Sequence, residues 1–339
     1  MDTHPFMSPP ISVNQYNEPR KVGFELEYSN LALKKSAALV LEELGSGHIE
    51  MINPYHYKVN DTPYGDFTLV LDFQFLIKRG LGTWLHEAGL DQVLNKEIIL
   101  AIEEFIATLS ETVVPYEIST SPLALGDLGM IERIKDLFRK HGAMGTKADP
   151  FYACGFHVNP EASSLEVGEI IDTLKAFFIL YDYLIEWLHP DMKRRIAPYI
   201  DPYEESYIMK VLDPSYTPTM AVFIDDYITH NPTRNRALDL LPLLSWIDRE
   251  RIMGVLKGKK ISARPTYHYR LPDSKIDEPL WHTYDAWNSW VLVEALAYDK
   301  KALQQMSKTY SVFLSLPLAF LQKEEWITEV RRWINTQLS

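Results

Sequence analysis

Four short stretches of this chain alternate polar and apolar residues with a period of two. They are Val22–Tyr28, Val113–Ser119, Phe151–Asn159 and Arg264–Leu271. Side chains on a β-strand point to opposite faces in turn, so each stretch predicts a strand with one polar and one apolar face. Glu25 and Glu27 share a face with Gly23, while Val22, Phe24, Leu26 and Tyr28 share the other. Glu117 falls with Val113, Pro115 and Ser119; His157 and Asn159 fall with Gly155; Arg264, Thr266, His268 and Arg270 line one face. Strands of a parallel doubly wound sheet are buried on both faces, so this pattern favours an antiparallel sheet in an α+β fold. One face of that sheet is expected to form a core and the other a site.

The remaining composition limits the partners. The chain has 339 residues, 34 of them Lys or Arg and 46 Asp or Glu, for a formal net charge of −12. That balance argues against general affinity for nucleic acid or an anionic membrane. Local basic clusters around Arg234 and Arg264 leave room for a polyphosphate. The single cysteine, Cys154, rules out an internal disulfide framework, fits a reducing compartment, and reads as a small core residue. The first twenty residues are polar and Pro-rich, unlike a signal peptide, and the most apolar helical stretch, Ala176–Leu188, carries Asp182 and Glu186. A cytoplasmic location without membrane partners is expected.

Along the chain, residues 1–20 read as an irregular arm. Further strands are expected at about 48–59 and 67–76; the second places Asp72 on a polar face. Helices are expected at 91–110, 127–141, 165–188, 219–230 and 236–256, with Asn235 as a candidate cap for the last, and from about Tyr284 to the C-terminus. Five prolines between residues 189 and 218 keep regular structure there brief. No stretch resembles a free linker. The expected organisation is an arm (1–20), a catalytic domain (21–283) and a helical extension (284–339) packed on it.

The polar faces define the chemistry. Glu25 and Glu27 lie roughly 7 Å apart by strand rise, a spacing that suits two cations, or one cation and a substrate group, but also suits a solvated strand. Magnesium favours carboxylate oxygens and retains water while binding phosphates. Glu117 reads as a ligand or as an edge-strand carboxylate. His157 reads as a ligand or as a packed residue, and its crowded face, with Gly155 and Asn159, favours the former. Arginine suits bidentate contact with phosphate or carboxylate; for Arg264 and Arg270, ligand binding and internal ion pairing are both open, and the segment of Arg234 and Arg236 also reads, from Asn235 to Asp239, as a plain helix start. The chain lacks a P-loop, a G-x-G-x-x-G turn, H-E-x-x-H, paired C-x-x-C and G-x-S-x-G.

Taken in order, Gly23-Phe24-Glu25-Leu26-Glu27-Tyr28, Pro115-Tyr116-Glu117-Ile118-Ser119, Cys154-Gly155-Phe156-His157-Val158-Asn159 and Tyr267-His268-Tyr269-Arg270-Leu271 resemble the motifs of the amidoligases. These belong to the carboxylate–amine ligases that share a fold with glutamine synthetase and glutamate–cysteine ligase. The resemblance spans about residues 20–275. It implies a curved antiparallel sheet shaped as a funnel, and an ATP-dependent joining of a carboxylate to an amine through an acyl phosphate. It also implies Mg²⁺ or Mn²⁺, with Glu25, Glu27 and Glu117 as ligands, His157 near metal and phosphates, and Arg270 on the transferred phosphoryl group. The family pattern has glutamate where this chain has His268, which we assign to the metal with a reduced negative charge. Asn159, Arg234 and Arg236 are assigned to the nucleotide, Arg264 to catalysis beside Arg270, and Asp72, from its strand face alone, to proton acceptance from the amine. The substrates implied are a small-molecule or peptide carboxylate and an amine donor. Two rivals use the same residues: a metal-dependent hydrolase, with water as nucleophile, and a degenerate binding protein.

Overall fold

The structure is a computed structural model and describes residues 5–71, 115–146, 154–191, 200–256 and 261–337. Asp72, the expected helix at 91–110 and the first residues of two expected strands (113–114 and 151–153) lie outside these. The fold is α+β. A nine-stranded antiparallel sheet runs in the order β2-β3-β4-β5-β1-β7-β9-β8, with β6 paired to one end of β1, and it does not close. The strands are β1 (Lys21–Tyr28), β2 (His48–Asn53), β3 (His56–Thr62), β4 (Gly65–Leu71), β5 (Tyr116–Thr120), β6 (Leu123–Ala124), β7 (Phe156–Pro160), β8 (Leu238–Asp239) and β9 (His268–Tyr269).

The period-two alternation holds. Val22, Phe24, Leu26 and Tyr28 are fully buried, as are Phe67, Leu69, Leu71, Ile118, Phe156 and Val158. These residues form one apolar face. Phe24 stacks on Phe156 with ring centroids 5.6 Å apart, and Phe156 meets the edge of Trp281. Cys154 is buried.

Ten α-helices flank the sheet among the described residues: α1 (Leu33–Leu44), α2 (Gly129–Lys140), α3 (Val167–Leu188), α4 (Glu205–Leu212), α5 (Met220–His230), α6 (Leu241–Ile247), α7 (Arg249–Val255), α8 (Thr283–Tyr298), α9 (Lys300–Leu314) and α10 (Lys323–Gln337). Helix α3 is apolar over a wide stripe, as its spacing predicts, and both α8 and α10 pack on it. Trp326 of α10 donates its indole N–H to the Ile179 carbonyl of α3 at 2.8 Å.

Several sequence expectations need correction. The stretch 48–59 is a hairpin, because Pro54 and Tyr55 form a turn between β2 and β3. Helix α1 was not anticipated, although Leu33, Ala37, Val40 and Leu44 follow helical spacing and Gly45 ends the helix at a φ of 73°. The expected helix at 236–256 is strand β8 followed by two short helices. Pro242 sits in the first turn of α6, the one place a helix accepts it. Asp248 breaks the run and caps α7 by accepting from the Arg251 N–H. Asn235 therefore caps nothing; its carbonyl accepts from the Asp201 N–H. The stretch 264–271 is regular only at His268–Tyr269, with a bridge from Thr266 to Glu161. Pro265 and Pro272 bound it, lacking the N–H a longer ladder needs.

Arg20 ties the start of β1 to the C-terminal helices. Its buried guanidinium meets Glu294 of α8 at 2.9 and 2.5 Å and also donates to the carbonyls of Ile11 and Glu161. Trp290 adds an N–H to the same carboxylate. Removing one partner of a buried pair strands the other charge. Glu294→Ala is expected to lower unfolding free energy by about 3–5 kcal/mol, measured by urea denaturation; a loss below about 1 kcal/mol would show that Arg20 rehydrates freely.

Candidate functional site

Strand register gathers the polar residues. Glu25 of β1 pairs with His157 of β7 and with Ser119 of β5, and Glu27 pairs with Glu117. Gly23 pairs with Asn159, whose side chain lies over the space that a larger residue would fill. On the far side, Val158 pairs with Tyr269, and His268 pairs with Asp239. Because Val158 and Tyr269 face the core, the residues next to them face the site.

Glu25 is the centre of this arrangement. Its Oε2 lies 3.0 Å from Nδ1 of His157 and 3.4 Å from Nε2 of His268. Its Oε1 accepts from Asn159 Nδ2 at 3.0 Å and faces Arg264 Nη2 at 3.5 Å. The two imidazoles meet edge to face, with centroids 5.2 Å apart. Glu27 accepts the Gly155 N–H at 2.6 Å and lies 4.0 Å from His157 Nε2. Glu117 accepts from Ser119 Oγ at 2.7 Å.

The site is largely withdrawn from water: His157 is 3 % exposed and His268 1 %. Burial alone would raise the Glu25 carboxyl. The facing His268 and the hydrogen bond from His157 outweigh it and hold the group well below the usual carboxylate range. Burial, then the charge of Arg270, push His157 down from 6.5 to about 4, against the pull of Glu25 and Glu27. A neutral His157 that donates from Nδ1 to Glu25 leaves Nε2 as an acceptor, and that atom has no hydrogen-bond partner.

The structure thus brings Glu25, Glu27, Glu117, His157, Asn159 and His268 onto one face, with Arg264 against Glu25 and Arg270 acting on His157. Arg234 reaches Asp239, with Nε 3.6 Å from Oδ2. Arg236 is not brought to the cluster. Its guanidinium donates to Asn231 Oδ1 and to the carbonyls of Pro202 and His230, and packs over the Tyr203 ring. Asp72 lies outside the described residues.

Sequence reasoning missed Asp239. This fully buried carboxylate accepts the Leu241 N–H through Oδ1 and turns Oδ2 toward His268 Nδ1, 3.7 Å away. Reading residues 236–256 as one helix hid it. Pro242 was the available signal, since it places the helix start after Asp239.

The donors fit a divalent cation. One ligand atom from each of Glu25, His157 and His268 lies within 4.8 Å of the other two. Nε2 of His268, the ring nitrogen that faces Glu25, is buried without a hydrogen-bond partner, a costly state that a bound cation relieves.

Residues 18–292 match the family model described as "Putative amidoligase enzyme". The chain belongs to the amidoligase family, which makes an amide-bond ligase its coarse functional class. No curated protein matches the chain. Among the described residues, no helix is long and apolar enough to cross a membrane.

Keeping His157 neutral has a cost in acid. Between pH 6.5 and 4 the unfolded chain takes up a proton that the folded site refuses, so this contribution is fully present above pH 6.5 and is lost as pH falls. Glu25 acts in the same direction at lower pH. On going from pH 7 to 4.5, metal-free wild type is expected to lose roughly 2–3 kcal/mol more than His157→Gln. Urea midpoints at both pH values measure this, and equal losses would refute it.

Proposed function

We propose that this amidoligase joins a carboxylate to an amine at the expense of ATP, using a divalent cation, Mg²⁺ or Mn²⁺, and passing through an acyl phosphate. The observation that carries this reading is the meeting of a carboxylate–imidazole cluster with three arginines on and around one sheet face: Arg264 on Glu25, Arg270 beside His157 and Arg234 on Asp239. Cation ligands alone would also suit a hydrolase. Arginines beside them suit a triphosphate, whose negative charge must be neutralised for an anionic carboxylate to approach it. A sheet curved into a funnel, as in glutamine synthetase, belongs to the same proposal.

In the first step a substrate carboxylate oxygen attacks the γ-phosphorus, the bond from that phosphorus to the ADP oxygen breaks, and ADP leaves with the electron pair. In the second, the amine nitrogen attacks the acyl carbon, loses a proton and expels phosphate. Arg270 and Arg264 would bind the transferring phosphoryl oxygens, where charge develops. Asn159 and His157 would position the nucleotide phosphates beside Glu25. Glu25, His157 and His268 would hold a cation, and Glu27 with Glu117 could hold a second; bound metal would screen the phosphates from these carboxylates. A carboxylate must take the amine proton, and Asp72 is our candidate. The carboxylate substrate is a small molecule or a peptide.

Calorimetry with a non-hydrolysable ATP analogue tests the first step. Binding is expected only with metal and is expected to collapse in Glu27→Gln and Arg270→Ala. With hydroxylamine as a general amine, ADP release and hydroxamate formation are expected across a panel of carboxylates, slower by about 10²–10³ in Arg270→Ala. An absence of analogue binding with either metal would overturn the ATP step.

A further inference from the structure

Two of the three donors that converge at the cluster are imidazole nitrogens. We infer that this cation site selects an imidazole-accepting transition metal (Mn²⁺, Co²⁺ or Zn²⁺) over Mg²⁺, with Asp239 as the positioning residue that holds His268 for it. The inference rests on the reading above that Glu25, His157 and His268 hold a divalent cation, and it assigns the class of metal.

The spacing comes first. Glu25 Oε2 lies 3.0 Å from His157 Nδ1 and 3.4 Å from His268 Nε2. Those are separations of neighbouring ligands around one small cation with bonds of about 2.1 Å. A cation there would replace the proton that His157 shares with Glu25.

The donor chemistry comes second. Magnesium takes oxygen ligands in near-ideal octahedra and gives up its waters reluctantly. Imidazole suits zinc, copper, iron and nickel; Mn²⁺ stands lowest in the first-row affinity order and shares magnesium's liking for carboxylate, yet as a transition ion it accepts nitrogen more readily than Mg²⁺. A site that turns two buried imidazoles toward one carboxylate oxygen therefore loses little for a transition metal and much for magnesium. Glu27 and Glu117, paired across β1 and β5, remain for a harder cation or for substrate.

Asp239 supplies the third argument. It is 0 % exposed, its Oδ2 has no hydrogen-bond partner, and it faces the ring nitrogen of His268 that points away from Glu25. Arg234 Nε, 3.6 Å from the same oxygen, is its other charged neighbour. A carboxylate behind a ligating imidazole fixes the tautomer and raises the basicity of the metal-facing nitrogen. The β8–β9 pairing of Asp239 with His268 sets this contact in the backbone.

The test uses the full chain stripped of metal and free of nucleotide, titrated with Mg²⁺, Mn²⁺ and Zn²⁺ by calorimetry. Pulsed electron paramagnetic resonance of the Mn²⁺ form counts coupled imidazole nitrogens. Mn²⁺ is expected to bind at least tenfold more tightly than Mg²⁺, with coupling from two imidazoles. In His268→Glu one coupling should disappear and the preference should shrink. In Asp239→Asn, which keeps the oxygen that accepts from Leu241, Mn²⁺ affinity should fall about 10–100-fold. Both nitrogen couplings should survive at saturation, and the metal-free melting temperature should hold. Equal Mg²⁺ and Mn²⁺ affinity, Mn²⁺ bound without nitrogen coupling, or no metal binding would each overturn the inference. The ATP analogue, run with each metal on the same preparation, separates the two readings. Nucleotide binding without metal preference removes only the selectivity; metal preference without nucleotide binding removes only the ligase.

Discussion

The contact between Glu25 and two imidazoles organises this protein's polar face. One carboxylate oxygen serves both His157 and His268, and the other serves Asn159 and Arg264. A buried carboxylate is costly unless neighbours favour its charge, and here they do so strongly enough to lower its pKa. The imidazoles bear the converse cost. Each is buried, and each keeps at least one ring nitrogen without a partner. Burying these unpartnered ring nitrogens costs stability that the Glu25 contacts offset only in part.

Strand β1 makes the arrangement possible. Its odd residues, Gly23, Glu25 and Glu27, serve the site; its even residues, Val22 to Tyr28, are wholly buried in the core. A slip of one residue would exchange the two sets and bury both glutamates in apolar packing. The stacked pair of Phe24 and Phe156 helps prevent that slip, because it locks β1 to β7 in the register that sets Glu25 beside His157.

What could be read in the sequence follows from this division. Alternation in β1, β4, β5 and β7 is long enough to show which residues share a face, and Glu25, Glu27, Glu117, His157 and Asn159 were found that way. Strands β8 and β9 have two residues each, too few for any periodicity, so the sequence pattern places Asp239 in a helix rather than a strand. Arg236 shows another limit. An arginine in a polar motif suits phosphate, but its partners here are Asn231 and two carbonyls brought by distant loops, and nothing local announces them. Helix α1 is legible by the spacing of Leu33, Ala37, Val40 and Leu44 and by Gly45, which ends it.

The buried pair of Arg20 and Glu294 joins groups 274 positions apart in the chain. Arg20 immediately precedes β1, so the strand that carries Glu25 gains this brace only after α8 exists, although β6 and β7 already pair with its start. On a ribosome, synthesis runs from the N-terminus, and Arg20 must wait for the 274 positions up to Glu294 before its partner is available. Closing so long a loop costs entropy before it returns any contact energy. The brace on the first-made part of the cluster is therefore among the last contacts the chain can form.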